Sequence, residues 1–129
     1  KLINPPGTEF LYDSQKFSQA VQVGDTLWIS GQVGYNADGI PEDFTEQARL
    51  AFTNLKTVIE HAGGSLSDIV EFTAYITDMS NSNSFSIAKN EFITENYPSF
   101  TLIGVTALAF EQLKVEIKAT AVLNSSELA

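Results

Sequence analysis

Apolar residues return at steps of three and four between Glu42 and Ala62, with Phe44, Ala48, Ala51, Phe52, Leu55, Val58 and Ile59 on one stripe. Such spacing predicts a long amphipathic helix, because 3.6 residues complete a turn and one face seeks burial. Asp43 stands where an N-cap accepts the orphan amides of the first turn, and Gly63-Gly64 end the helix because glycine enters the left-handed region without a Cβ clash. The period then drops to two. Val70, Phe72, Ala74 and Ile76 alternate with Glu71, Thr73, Tyr75 and Thr77, which predicts a half-buried strand over 69–77. Two β-rich runs, 17–23 and 26–30, flank Gly24-Asp25 and read as a hairpin. The polar tract 80–84 reads as a loop, Phe85, Ala88 and Phe92 mark a second helix ending before Pro98, and strands over 101–108 and 114–123 close the chain. At the start, Pro5, Pro6 and Gly7 give residues 1–7 the character of an irregular arm.

The order β-β-α-β-α-β-β predicts an α+β fold with two helices on one face of a mixed sheet. Two helices cannot cover both faces, so the opposite face is expected to be buried by other copies of the same sheet. With 129 residues, 43% of them apolar, and no linker-like stretch, residues 1–129 read as a single domain. The chain opens on no basic and then apolar leader, and no apolar run approaches the roughly 20 residues that span a bilayer; a cytoplasmic protein is the expectation. Absence of cysteine excludes disulfides, thiolate metal sites and cysteine nucleophiles. Sixteen acidic residues against seven basic ones give a net charge of -9, which repels phosphate backbones and anionic lipid, so neither nucleic acid nor membrane is an expected partner.

Four short segments, Phe17-Ser18-Gln19-Ala20-Val21, Ile29-Ser30-Gly31-Gln32, Thr77-Asp78-Met79 and Val115-Glu116-Ile117, together with Asn54-Leu55-Lys56 inside the long helix, make the chain resemble the RidA (YjgF) family over nearly its whole length. The resemblance implies a chorismate-mutase-like fold and a homotrimer whose sheets pack around a central barrel, with a cleft for a small-molecule ligand at each subunit boundary. It also implies hydrolysis of 2-imino acids to ketones and ammonia, with no metal or cofactor: an arginine clamps the substrate carboxylate and a glutamate positions the water. The family also carries the name endoribonuclease L-PSP, and the acidic charge here argues against an RNA substrate.

Carried over position by position, the glutamate is Glu116, and the serine and glycine of the cleft are Ser30 and Gly31. The family's tyrosine becomes Phe17, its helix asparagine becomes Ser86, and its arginine, in Pro98-Ser99-Phe100-Thr101, becomes Phe100. Thr101 is counted with the cleft. No register slip restores the clamp, since the only arginine is Arg49 in the long helix, and an apolar ring cannot replace a bidentate donor. Alternation puts Val115, Ile117, Ala119 and Ala121 on one face of the last strand and Glu116, Lys118 and Thr120 on the other. From periodicity alone, Glu116 reads equally as a solvated or ion-paired strand residue. Lys118 either pairs with Glu116 or supplies the missing positive charge. Ser30 either satisfies a nearby backbone group or meets ligand, Phe17 and Phe100 are either packing aromatics or an apolar cleft wall, and His61 fits a helix C-terminal position.

Two functions follow. The first is a hydrolytic deaminase of imine or enamine metabolites whose substrate is not held through a carboxylate by arginine, of which a relative of the aminomuconate deaminases is one version. The second is a non-catalytic trimer that binds a small metabolite in its clefts.

Overall fold

The computed structural model describes residues 1–128. Among them six strands form one sheet: β1 (Leu2–Ile3), β2 (Ala20–Val23), β3 (Thr26–Val33), β4 (Ile69–Ile76), β5 (Ser99–Gly104) and β6 (Val115–Val122). The helices are α1 (Glu9–Gln15), α2 (Phe44–His61) and α3 (Ser82–Phe92). Strand order is β1-β2-β3-β6-β4-β5, with β4 and β5 parallel and the other pairs antiparallel. This is the mixed α+β architecture expected, with α2 and α3 packed together on one face. No helix of the described residues is long and apolar enough to cross a membrane.

The α2 signals act as read. Asp43 accepts the Glu46 amide at 3.0 Å, and Gly63 turns the chain out of the helix at φ 93°. Phe44, Ala48, Ala51, Phe52, Leu55, Val58 and Ile59 are all buried. Gln47, also fully buried, donates from Nε2 to the carbonyls of Pro41 and Gln112 and accepts the Lys114 amide, thereby pinning the approach to β6. Asn54 donates to the carbonyls of Val33 and Tyr35 and so fixes the exit of β3. The one arginine, Arg49, is consumed by structure: its guanidinium takes both Glu91 oxygens at 2.8 Å and also pairs with Glu46, tying α2 to α3.

Four expectations are corrected. The polar tract 80–84 is not a loop, since Met79–Asn81 form a 3₁₀ turn and α3 begins at Ser82. The opening arm is partly regular, because Leu2 and Ile3 pair with Val21 and Ala20; two residues are too few to display a period. Residues 9–15 form α1, which buries none of its side chains and therefore leaves no apolar stripe to read. The strand expected over 101–108 begins at Ser99 and stops at Gly104, since it runs parallel to β4 and ends with it at the Ile76–Gly104 pair.

On the helix side, Phe52 contacts the rings of Phe72, Phe85 and Phe92 with centroids 5.3 to 6.3 Å apart. Leu27, Ile29, Ala74, Ile76, Val115, Ile117 and Ala119 complete this core from the sheet. The other face is open. Leu2, Val21 and Trp28 lie in one cross-strand row there and are exposed by 53%, 39% and 51%, an apolar surface with no cover from the described residues.

Candidate functional site

Register shifts by one residue where β3 crosses β6. Ile29 pairs with Ala119 and Gln32 with Ile117, so Ser30 and Gly31 together oppose Lys118 as a β-bulge. Bulges re-aim side chains and often sit beside functional sites. Here the bulge is held by its neighbours: the Ser30 amide donates to the Gln19 carbonyl at 2.9 Å, and the Ser30 hydroxyl donates to the Ser18 carbonyl at 2.7 Å. Beneath it two buried glutamines meet, with Gln32 Nε2 donating to Gln19 Oε1 at 3.0 Å and to the Ser30 carbonyl at 3.1 Å.

The bulge brings the chain directly against Glu116. A Cβ built on Gly31 would lie 2.2 Å from Glu116 Oε2, so the carboxylate occupies the space that only glycine leaves. Glu116 lies on the open face, in the row Val33–Glu116–Tyr75–Ile103. It is half-buried, and loss of hydration raises its pKa above the ordinary glutamate value. Ion pairs among the described residues involve Arg49 alone, so the pairing open to Lys118 is not made. Two residues along a strand lie about 6.6 Å apart, and Lys118 points from the next row, beside Thr73 and Thr101, into solvent.

Ser30, Gly31, Glu116, Lys118 and Thr101 therefore share the open side of the sheet, and the exposed Phe17 stands one residue before the Ser18 carbonyl that anchors Ser30. Phe100 and Ser86 lie elsewhere. Phe100 pairs with the buried Phe72 and so faces the helices. Its ring stacks on Phe72 at 4.5 Å and on Phe85 at 5.9 Å, extending the phenylalanine core to the sheet edge. Ser86 is exposed on α3. One chain does not join these two residues to Glu116.

The sequence reading missed Lys89. Its ammonium lies 4.9 Å from the centroid of the Phe100 ring, and the side chain helps to line a cavity of about 440 Å³ between the end of α3 and the β4–β5 edge. Nothing in the local sequence marks it, because its partner ring comes from another element. No group of three or more His, Asp or Glu side chains among the described residues is arranged to hold a metal ion.

Comparison with known proteins bears on this arrangement. The model of the family described as Endoribonuclease L-PSP matches residues 9–123. A RutC family protein, YjgH of Escherichia coli, is 41% identical over 116 residues that cover 88% of each chain. A 2-iminobutanoate/2-iminopropanoate deaminase of Dermatophagoides farinae is 33% identical and spans 83% of this chain and 85% of its own. Among solved structures, Protein YJGH superposes with a TM-score of 0.85 at 39% identity over 95% of each chain.

Proposed function

The chain belongs to the Endoribonuclease L-PSP family, the RidA (YjgF) group, and from that premise we propose that it is a hydrolytic deaminase of imine or enamine metabolites other than the small 2-imino acids. The observation that carries the proposal is Glu116: a half-buried carboxylate of raised proton affinity, free of any ion pair among the described residues, fitted over Gly31. Such a group suits general base and then general acid work. Water adds to the C=N carbon while its proton passes to Glu116. Nitrogen, protonated in the reacting iminium, is left as the amine of a neutral carbinolamine; the proton on Glu116 then moves to that amine, the C–N bond breaks as ammonia leaves, and the hydroxyl proton passes to Glu116 and on to solvent, leaving a C=O bond. The reaction class is supported by a relative 33% identical to this chain that bears the name 2-iminobutanoate/2-iminopropanoate deaminase.

A different substrate is supported by Phe100, which stands where the resemblance puts a carboxylate-clamping arginine and whose ring is held in the aromatic stack. The site is completed between copies: Phe17, Ser30, Gly31, Glu116 and Lys118 of one chain face the β5 edge of another, with Ser86, Phe100 and Thr101. The bare apolar row of Leu2, Val21 and Trp28 supports that assembly, which we take to be a homotrimer with its ligand in the inter-subunit cleft. The alternative, a metabolite-binding trimer without turnover, is favoured by one observation, the commitment of the Ser30 hydroxyl to the Ser18 carbonyl. Glu116→Gln separates the two. It should lower imine hydrolysis about 10² to 10⁴-fold while ligand binding survives; no imine turnover by the parent protein sinks the deaminase reading, unchanged turnover in Glu116→Gln sinks the role of Glu116, and a stable monomer in sedimentation equilibrium sinks the shared cleft.

A further inference from the structure

We propose that the cavity beside the C-terminal half of α3 is an anion subsite in which Lys89 anchors a carboxylate and the Phe100 ring supports an aromatic or branched apolar body. The proposal names a substrate class for the deaminase, and it rests on that reading only for the statement that the occupant is turned over.

At about 440 Å³ the cavity is of the size that holds a small organic ligand. Its walls are of two kinds. Phe72, Pro98 and Phe100 are apolar, whereas Lys89, Thr94 and Tyr97 bring an ammonium and two hydroxyls. Phe100 makes a rigid floor because it is stacked against Phe72 and Phe85. Lys89 is notable for what it lacks. In a chain with sixteen acidic residues, its ammonium meets no carboxylate within ion-pair distance among the described residues and lies over the Phe100 ring instead. Glu91, two positions along α3, is already taken by both prongs of Arg49. An ammonium resting on a ring face keeps hydrogens directed away from the ring, so it can donate to an incoming oxygen anion without first breaking a salt bridge. Lysine is a point charge and asks for no bidentate geometry. The adjoining aromatic floor selects a carboxylate joined to a flat or branched apolar body over a strongly hydrated inorganic anion.

The test is titration of the full-length protein with phenylacetate and with its neutral isostere phenylacetamide, followed by NMR of the lysine side chains and by calorimetry. Phenylacetate should bind saturably and more tightly than the amide, with the Lys89 signals moving. Lys89→Met, which keeps the apolar stem, should weaken phenylacetate about 10- to 100-fold and leave the amide unchanged; Lys89→Arg should restore the anion. Equal affinity for acid and amide, an unaltered Lys89→Met, or no saturable binding up to about 10 mM would each overturn the subsite. Glu116→Gln keeps the two proposals apart. If the parent protein turns imines over and Glu116→Gln abolishes it while Lys89→Met leaves phenylacetate affinity intact, only the subsite fails; if Lys89 governs binding but the parent protein turns no imine over, only the deaminase fails.

Discussion

Gly31→Ala tests the placement of Glu116 without touching the carboxylate itself. The added methyl would stand 2.2 Å from Oε2, 2.6 Å from Cδ and 3.0 Å from Cγ of Glu116, where ordinary contact begins at 3.4 Å. The shortfall at the oxygen is 1.2 Å, so the carboxylate has to move by about that much. All three atoms belong to a side chain, and Gly31 is not among the positive-φ residues. Backbone strain is therefore not the cost. Holding Glu116 about 30° off its rotamer to clear the methyl costs about 0.5 to 1.5 kcal/mol, which lowers the melting temperature by a few degrees. Catalysis is less forgiving, because a misplacement of about 1 Å costs about 10²-fold. The assay generates imines in situ from aromatic and branched amino acids with an oxidase and follows ketone formation against trapping by semicarbazide, alongside a thermal melt. Gly34→Ala is the contrasting variant: there the methyl meets the Gln47 carbonyl oxygen at 2.1 Å, a helix backbone that cannot swing aside, and stability should fall by about 1 to 3 kcal/mol or more. If Gly31→Ala turns imines over within threefold of the parent protein, the position of Glu116 above Gly31 is irrelevant to function and the argument fails.

Burial raises the pKa of Glu116, so the folded state holds that proton more tightly than the unfolded chain; its contribution favours folding at low pH and is lost as pH rises through the folded pKa. Glu116→Gln should accordingly raise the melting temperature at neutral pH, with the gain fading below the ordinary glutamate pKa, and a gain that grows toward acid would contradict this. In the active protein kcat/KM should rise with pH through a value above the usual carboxylate range. Gln47→Ala removes the buried side chain that satisfies the part-buried Lys114 amide and the Pro41 and Gln112 carbonyls, and chemical denaturation should show a loss of about 3 kcal/mol. Phe100→Arg should raise turnover of small 2-imino acids at a stability cost of about 2 kcal/mol from lost aromatic burial; no gain in turnover would mean that more than the clamp differs.

What could be read in the sequence was whatever repeats with a period. The cap, stripe and glycine stop of α2, and the alternation of β4 and β6, are properties of neighbouring residues, so Glu116 and Lys118 could be assigned to one face before any coordinates. Features that depend on pairing between distant segments could not. The bulge at Ser30-Gly31 is an offset between β3 and β6, and neither strand announces it alone. The side taken by Phe100 depends on its parallel register with Phe72; alternation separates Phe100 from Thr101 but does not say which of them joins Glu116. The glutamines of the two short motifs were visible as letters, yet their contact, Gln32 to Gln19, is a fact of the hairpin's fold. Helix α1 buries nothing, and a helix without a buried face leaves no trace in the apolar pattern.

Trp28 is the only tryptophan of the chain, and it stands in the open sheet face between Val21 and Thr120 rather than in the core. Selective excitation of its indole therefore reads the environment of that one surface. A solvent-exposed indole emits to the red and a covered one to the blue, so if copies cover this face as proposed, dilution through their dissociation equilibrium should shift the spectrum while the far-ultraviolet circular dichroism of the sheet stays constant. The fold thus carries its own fluorophore for separating the loss of neighbours from the loss of structure, with no label attached.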